Sequence, residues 1–233
     1  ELLEAEFEGQ NRKIRFLNPE LGLINTEDPI PLHVSAFGPK SRALLAKLGA
    51  GWINFVGDVE TAVATLEDMR RIWTEAGRDI ADLTATEFAL GCVLADGEPY
   101  DSPRAVAQAG PRAAVLLHRA ADEAIAGWPG FGGLPEAAAE TVAGYVEHAK
   151  GYEPADARYL ENHRGHLMFV KAEELKYITA ELIRDTTFTA REAELKSRIG
   201  DLQDAGYSQF TIQIVPGQED AIEDWGRVRK AFA

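Results

Sequence analysis

The feature that most constrains this chain is a repeated alternation of short apolar runs with longer amphipathic stretches. Pro31–Ala36 (PLHVSA), Trp52–Val56 (WINFV), Thr84–Leu94 (TATEFALGCVL) and Gln209–Val215 (QFTIQIV) read as strands. WINFV is nearly continuous in its apolar character, the pattern of a strand covered on both faces. Between the strands, apolar residues recur at helical spacing, as in Leu44, Leu45 and Leu48, then Val63, Leu66, Met69, Ile72 and Trp73. Further helices are expected near 103–126 and 135–150, from about Ala172, from Thr189 to Gly206, and from about Glu219. Strands separated by helices demand a parallel sheet with helical crossovers. Two α/β architectures satisfy this, an open doubly wound sheet and a part of a (β/α)8 TIM barrel. A complete barrel takes about 250 residues and eight strand–helix units. Four strands therefore supply about half of one, together with an insertion.

Turn and cap residues divide the elements. Gly38-Pro39 breaks the first strand, and Gly49 and Gly51 end the helix that follows. Asp58 caps the next helix and Gly77 lies past its end, while Thr189 with Glu192 fits a capping box. Residues 127–170 open with Gly127-Trp128-Pro129-Gly130-Phe131-Gly132-Gly133 and read as a lid-like insertion in a single domain spanning 1–233. Residues 11–29 read as a polar connector with turns at Asn18-Pro19, Gly22 and Asp28-Pro29. The opening ELLEAEFEGQ reads as the uncapped end of a helix and starts on Glu1 rather than Met. The expectation is the later part of a longer chain.

Charge and composition narrow the function. Lys and Arg number 24 against 38 Asp and Glu, a net charge of −14. Such a surface repels phosphate backbones, so no nucleic-acid partner is expected. No apolar run approaches the roughly 18 residues of a membrane helix, so no membrane association is expected. The single Cys92 excludes an internal disulfide and fits a reducing, cytoplasmic compartment. A small-molecule substrate and a homo-oligomer are the expected partners.

The most informative stretch is IPLHVSAFGPKSRALLAKLGAGWINF, residues 30–55. It reads as strand, tight Gly-Pro turn, helix and Gly-rich turn. Amides near Gly38 and Lys40 stand at a helix N-terminus, which attracts an anion through free N–H groups and the helix dipole. Gly38 permits close approach of a ligand to the backbone, and Lys40 adds positive charge. Neither a Walker loop nor a G-x-G-x-x-G fingerprint is present.

These residues resemble the luciferase-like monooxygenase superfamily, (β/α)8-barrel enzymes that use FMN or the deazaflavin coenzyme F-420. The resemblance rests on Ser35-Ala36-Phe37-Gly38-Pro39-Lys40 followed by Leu48-Gly49-Ala50-Gly51-Trp52-Ile53, with Ala50 where the family often has Asp. It extends to Ala205-Gly206-Tyr207-Ser208-Gln209-Phe210 and to Pro216-Gly217 before the terminal helix. The methylenetetrahydromethanopterin reductase-like, F-420-using branch is most similar because of the Gly-Pro-Lys turn. The resemblance implies the C-terminal half of the family barrel, with catalytic side chains upstream of residue 1. It implies an oxidoreductase transferring hydride to or from a small organic substrate, with F-420 or FMN held at Ser35, Ala36, Phe37, Gly38, Pro39 and Lys40. The alternatives are an FMN monooxygenase using O2, and a half-barrel acting as an interaction module.

Other candidates carry two readings each. Glu87 within a strand is either a carboxylate turned to a site, with a raised pKa if unpaired, or the commoner salt bridge or helix-facing residue. His163 and His166 form H-x-x-H, spaced for one helical face, but no third ligand is evident and no metal is expected. Together with Trp128 they are candidates for the substrate pocket or lid, and Phe131 with Trp128 for a mobile flap. His33 and Cys92 are read as core residues.

Overall fold

The apolar runs assemble into one four-stranded parallel sheet. A computed structural model describes residues 2–15, 17–22, 25, 27–28, 30–130 and 132–232. Glu1, Pro29 and Phe131, named above, lie outside the described residues. The chain divides into two compact units, Glu1–Leu32 and His33–Ala233.

The first unit corrects the helical reading of the opening residues. Strands β1 (Leu3–Phe7) and β2 (Gln10–Ile14) form an antiparallel hairpin with Leu3 opposite Ile14. The turn residues Glu8 and Gly9 have φ of 52° and 71°. Positive φ at both central positions makes the two-residue turn whose twist matches a hairpin. Lys13 pairs with Glu4 across it at 3.2 Å. The polar connector expected from residue 11 therefore starts as a strand.

The second unit begins with β3 (His33–Ser35) and α1 (Pro39–Leu48). Pro39 starts the helix where a missing N–H costs nothing. Gly49, at φ 68°, ends it by donating its N–H to the Leu45 and Ala46 carbonyls. Then come β4 (Gly51–Asn54) and α2 (Val59–Glu75). Asp58 caps α2 by accepting from the Thr61 N–H at 2.7 Å. The expected third strand is split into β5 (Ala85–Ala89) and β6 (Val93–Leu94). The break has a backbone cause. At Gly91 the Phe188 carbonyl approaches so closely that a Cβ would lie 1.9 Å from its oxygen.

Helix α3 (Pro103–Ala126) is followed by α4 (Ala139–Ala149), the short α5 (Tyr159–Asn162) and α6 (Ala180–Thr186). The helix expected from Ala172 is a 3-10 segment to Tyr177, and a new start capped by Thr179 opens α6. Strand β7 (Ala190–Arg191) pairs in parallel with β6. Helix α7 (Glu192–Ala205) has Arg191 at its N-cap. The expected capping box at Thr189 is not formed, because the Thr189 hydroxyl is buried and accepts from the Cys92 N–H at 3.1 Å. Strand β8 (Gln209–Ile212) and α8 (Ala221–Arg229) complete the order.

The sheet runs β3-β4-β5-β8, every neighbouring pair parallel, with Val34 opposite Trp52, Ile53 opposite Thr86 and Glu87 opposite Phe210. Helices α1, α2, α7 and α8 pack on it through Leu45, Leu66, Met69, Trp73, Leu195 and Trp225. A second core joins α3, α4 and α6 through Leu117, Tyr145, Leu182 and Ile183. No helix among the described residues is long and apolar enough to cross a membrane.

Candidate functional site

The carboxyl ends of β3 and β4 open onto a cavity of about 580 Å3, into which Phe37, Arg42, Asn54 and Arg112 are set. Parallel sheets place ligand sites at this end because the loops there converge while the strands hold them rigid. A larger groove of about 830 Å3 runs along β8, α7 and α8, lined by Phe210, Ile212, Ile222, Trp225 and Val228. Both linings are mostly apolar, and what sets the smaller cavity apart is the buried cation Arg112 on its wall.

Two side chains give that cavity its character. Arg112, on α3, is buried beneath it, with its guanidinium 3.8 Å from the Phe55 ring centroid and Nη2 donating to the Phe55 carbonyl at 3.1 Å. Burial pulls its pKa down to about 10, which leaves it a cation at neutral pH. Among the described residues its Nε–H has no partner. Asn54, at the end of β4, donates through Nδ2 to Glu87 Oε2 at 3.0 Å and to the Tyr207 hydroxyl at 2.9 Å. Its Oδ1 is buried without a partner. Orphaned buried polar atoms are uncommon and call for an explanation. Here a donor and an acceptor on two residues lining one cavity both lack partners.

Behind Asn54 lies Glu87, completely buried in β5. Its Oε1 accepts the Val56 N–H at 2.9 Å. Burial dominates and raises its pKa to about 8, against the opposing pull of the Val56 N–H, Asn54, Tyr207 and the Arg112 charge. The carboxyl is therefore mostly protonated at neutral pH. Among the described residues it forms no salt bridge, and it stands behind the cavity lining rather than in it. Tyr207 completes the network by donating to the Ala62 carbonyl at 2.9 Å.

The turn residues expected to hold a cofactor divide. Phe37 lines the cavity and is half exposed. Ala36 is buried, and its carbonyl accepts the Trp52 indole N–H at 2.9 Å. The Gly38 N–H donates to Ser41 Oγ at 3.2 Å, so it is satisfied within the helix cap. Ser35, Pro39 and Lys40 are exposed and stand outside the cavity lining. Arg42, one turn into α1, is the cation that reaches it, tied to Asp68 at 2.6 Å. Trp128 is exposed past the end of α3 and joins none of these residues. His163 and His166 meet away from this lining, their Nδ1 atoms 3.3 Å apart. His33 lies against Gly51, where a Cβ would be 2.5 Å from its ring. Cys92 is buried with its thiol pushed up to about 12 by desolvation.

Sequence reasoning missed Asn54 and Arg112. An arginine within the alanine-rich run Gly110-Pro111-Arg112-Ala113-Ala114 was the available signal, since a lone charge on an apolar helix face needs a reason to be there.

The fold is that of an α/β protein with a cavity at the carboxyl end of a parallel sheet. The luciferase-like monooxygenase family model matches residues 4–209, and the chain belongs to that family. An F-420-dependent secondary alcohol dehydrogenase, solved with an F-420–acetone adduct, aligns over 100% of this chain and 56% of its own at 15% identity and a TM-score of 0.52. The coenzyme F-420-dependent tetrahydromethanopterin reductase of Methanopyrus kandleri aligns over 85% of this chain and 49% of its own, at 15% identity and a TM-score of 0.49. The oxygenating constituent of 3,6-diketocamphane monooxygenase from Pseudomonas putida, solved with FMN, aligns over 97% and 55%, at 11% identity and a TM-score of 0.41. The chain thus spans about half the length of the solved structures it matches. No curated protein matches it.

Proposed function

We propose that the chain is part of an F-420- or FMN-dependent oxidoreductase, with the cofactor seated in the cavity between Phe37 and Arg112. The observation that carries this reading is the pair of unpartnered buried polar atoms, Arg112 Nε and Asn54 Oδ1, on residues lining that cavity. The residues fit the group. A flavin or deazaflavin ring offers both carbonyl acceptors and an imide N–H donor, and these match a guanidinium donor and an amide acceptor. A volume of about 580 Å3 lies within the ordinary range of cofactor pockets.

When bound, the cofactor supplies hydride transfer to or from a small organic substrate, or reaction with O2 in the FMN case. The chain's own residues bind and orient it. Phe37 offers an apolar face, and Arg42 and Arg112 offer positive charge to its electron-rich or phosphorylated parts. Ser35, Ala36, Gly38, Pro39 and Lys40 are proposed to support it as the surrounding turn. Glu87 holds Asn54 by accepting from its amide, and so positions the one acceptor. The segment 127–170, with Trp128, is proposed as the lid that excludes water.

We infer that the four strands are the second half of an eight-stranded barrel, with further strands covering the outer edges of β3 and β8 in the working enzyme. The apolar groove of about 830 Å3 along β8 favours that inference and equally favours the second reading, an assembly module that docks another barrel half or another copy.

The test is fluorescence titration of F-420 and FMN, separately, into the protein and into Arg112→Met. The expected result is saturable binding of one of them, weakened roughly tenfold or more in the variant by loss of a charged hydrogen bond. If neither binds, the oxidoreductase reading falls and the assembly reading takes its place.

A further inference from the structure

Three of the chain's five histidines converge although they are far apart in sequence. His118 lies on α3, while His163 and His166 follow α5. One ring nitrogen from each lies within 4.8 Å of the others. The segment carrying the pair is anchored beside the carboxyl end of β8, where Gln213 Nε2 donates to the Leu167 carbonyl at 2.8 Å.

The outer nitrogens are held by carboxylates. His118 Nε2 lies 2.7 Å from Glu174 Oε1, and His163 Nε2 lies 2.7 Å from Asp122 Oδ2. Glu174 is buried and accepts hydrogen bonds from His118, the Tyr145 hydroxyl and the Lys171 N–H. The Lys171 ammonium stands 3.0 Å away. A carboxylate can only accept, so each histidine carries its proton on Nε2 and turns a bare lone pair to Nδ1. His118 is 1% exposed and its Nδ1 has no hydrogen-bond partner.

We propose that His118, His163 and His166 bind a divalent cation of the zinc class through their ring nitrogens, with Asp122 and Glu174 as the orienting carboxylates. Three observations support the assignment. The orphaned Nδ1 of His118 is a buried lone pair in want of a partner. The carboxylate–histidine arrangement on two of the three rings is the one that fixes metal-ligating imidazoles. The 3.3 Å between the Nδ1 atoms of His163 and His166 is the nitrogen–nitrogen edge of a tetrahedron built on metal–nitrogen bonds of about 2.0–2.1 Å. Neutral imidazoles without thiolates suit zinc, copper or nickel rather than magnesium or calcium. Three protein ligands would leave a fourth position for water or another small ligand.

The test uses tag-free protein stripped with a chelator, titrated calorimetrically with Zn2+ and, in parallel, spectroscopically with Co2+. The expected result is one Zn2+ per chain and a visible Co2+ band of tetrahedral type. His118→Ala risks the buried core, so the informative variants are His163→Ala and His166→Ala, on rings that are half-buried and exposed, with folding checked by circular dichroism. Each should weaken Zn2+ binding roughly tenfold or more and remove the Co2+ band, and Asp122→Asn should weaken binding about 10- to 100-fold. The absence of stoichiometric Zn2+ binding overturns the proposal. Affinities unchanged in both histidine variants overturn it as well, because the ion then sits on the acidic surface.

Discussion

Glu87→Gln tests the electrostatics behind the candidate cavity. The substitution keeps the shape of the side chain and an acceptor for the Val56 N–H and removes the ionisable group, while its amide NH2 replaces the oxygen that accepts from Asn54 Nδ2, a cost that does not vary with pH. In the folded chain the Glu87 pKa stands at about 8 against an ordinary 4.5, because burial disfavours the anion more than its hydrogen bonds and Arg112 favour it. One charged group, Arg112, reaches it from α3, and the neutral Tyr207 phenol faces it at the entry to β8. Carrying a pKa from 4.5 to about 8 is worth about 5 kcal/mol at 1.36 kcal/mol per pH unit, an upper bound. Below pH 4.5 both folded and unfolded chains hold the proton and the group is silent. Above it the unfolded chain releases the proton first, so stability falls with rising pH until the folded carboxyl ionises near 8. The assay is urea denaturation of both proteins at pH 5, 7 and 9. Whatever offset the lost Asn54 bond sets at pH 5, the difference should move in the variant's favour by up to about 4 kcal/mol by pH 9. A difference that stays constant from pH 5 to 9 would refute the reasoning, since Glu87 would then titrate alike in both states.

Other perturbations read the fold itself. Gly91→Ala puts a Cβ 1.9 Å from the Phe188 carbonyl oxygen, and backbone there cannot swing aside, so a loss of about 3 kcal/mol in urea unfolding is expected. Glu98 shows the opposite linkage to Glu87. Hydrogen bonding from Arg104 holds its pKa near 2, so its contribution is complete above pH 4.5 and is lost as pH falls through 2. Glu98→Gln should cost about 3 kcal/mol at pH 7, and the gap from the parent should close toward pH 2 in acid titrations followed by circular dichroism. Trp52→Phe deletes the indole N–H that satisfies the buried Ala36 carbonyl, and a loss of about 1–3 kcal/mol is expected by thermal denaturation.

The sequence disclosed what neighbouring residues decide among themselves. The four sheet strands, the Asp58 cap and the Pro39 and Gly49 ends of α1 depend on interactions within a few positions, and they stand where local spacing put them. Misreadings arose where a distant contact overrode a local pattern. The Phe188 backbone splits the strand at Gly91, and Cys92 takes the Thr189 hydroxyl that would have capped α7. The hairpin at residues 3–14 is a different error, since its Glu-rich alternation resembles a helix end until the Glu8-Gly9 turn is recognised.

The candidate sites were hidden for the same reason, carried further. Asn54 meets Glu87 across 33 positions and Tyr207 across 153, while Arg112 reaches back 57 to Phe55. Only parallel pairing, which sets Asn54 opposite Glu87, brings the first of these together. Helix α3 then does double duty. Arg112 faces the cavity, and His118 with Asp122 one turn further on faces the histidine cluster. The six positions from Arg112 to His118 rise about 9 Å along the axis, so one helix sets the distance between the two places. That spacing follows from the fold, and no motif of a few residues could have announced it.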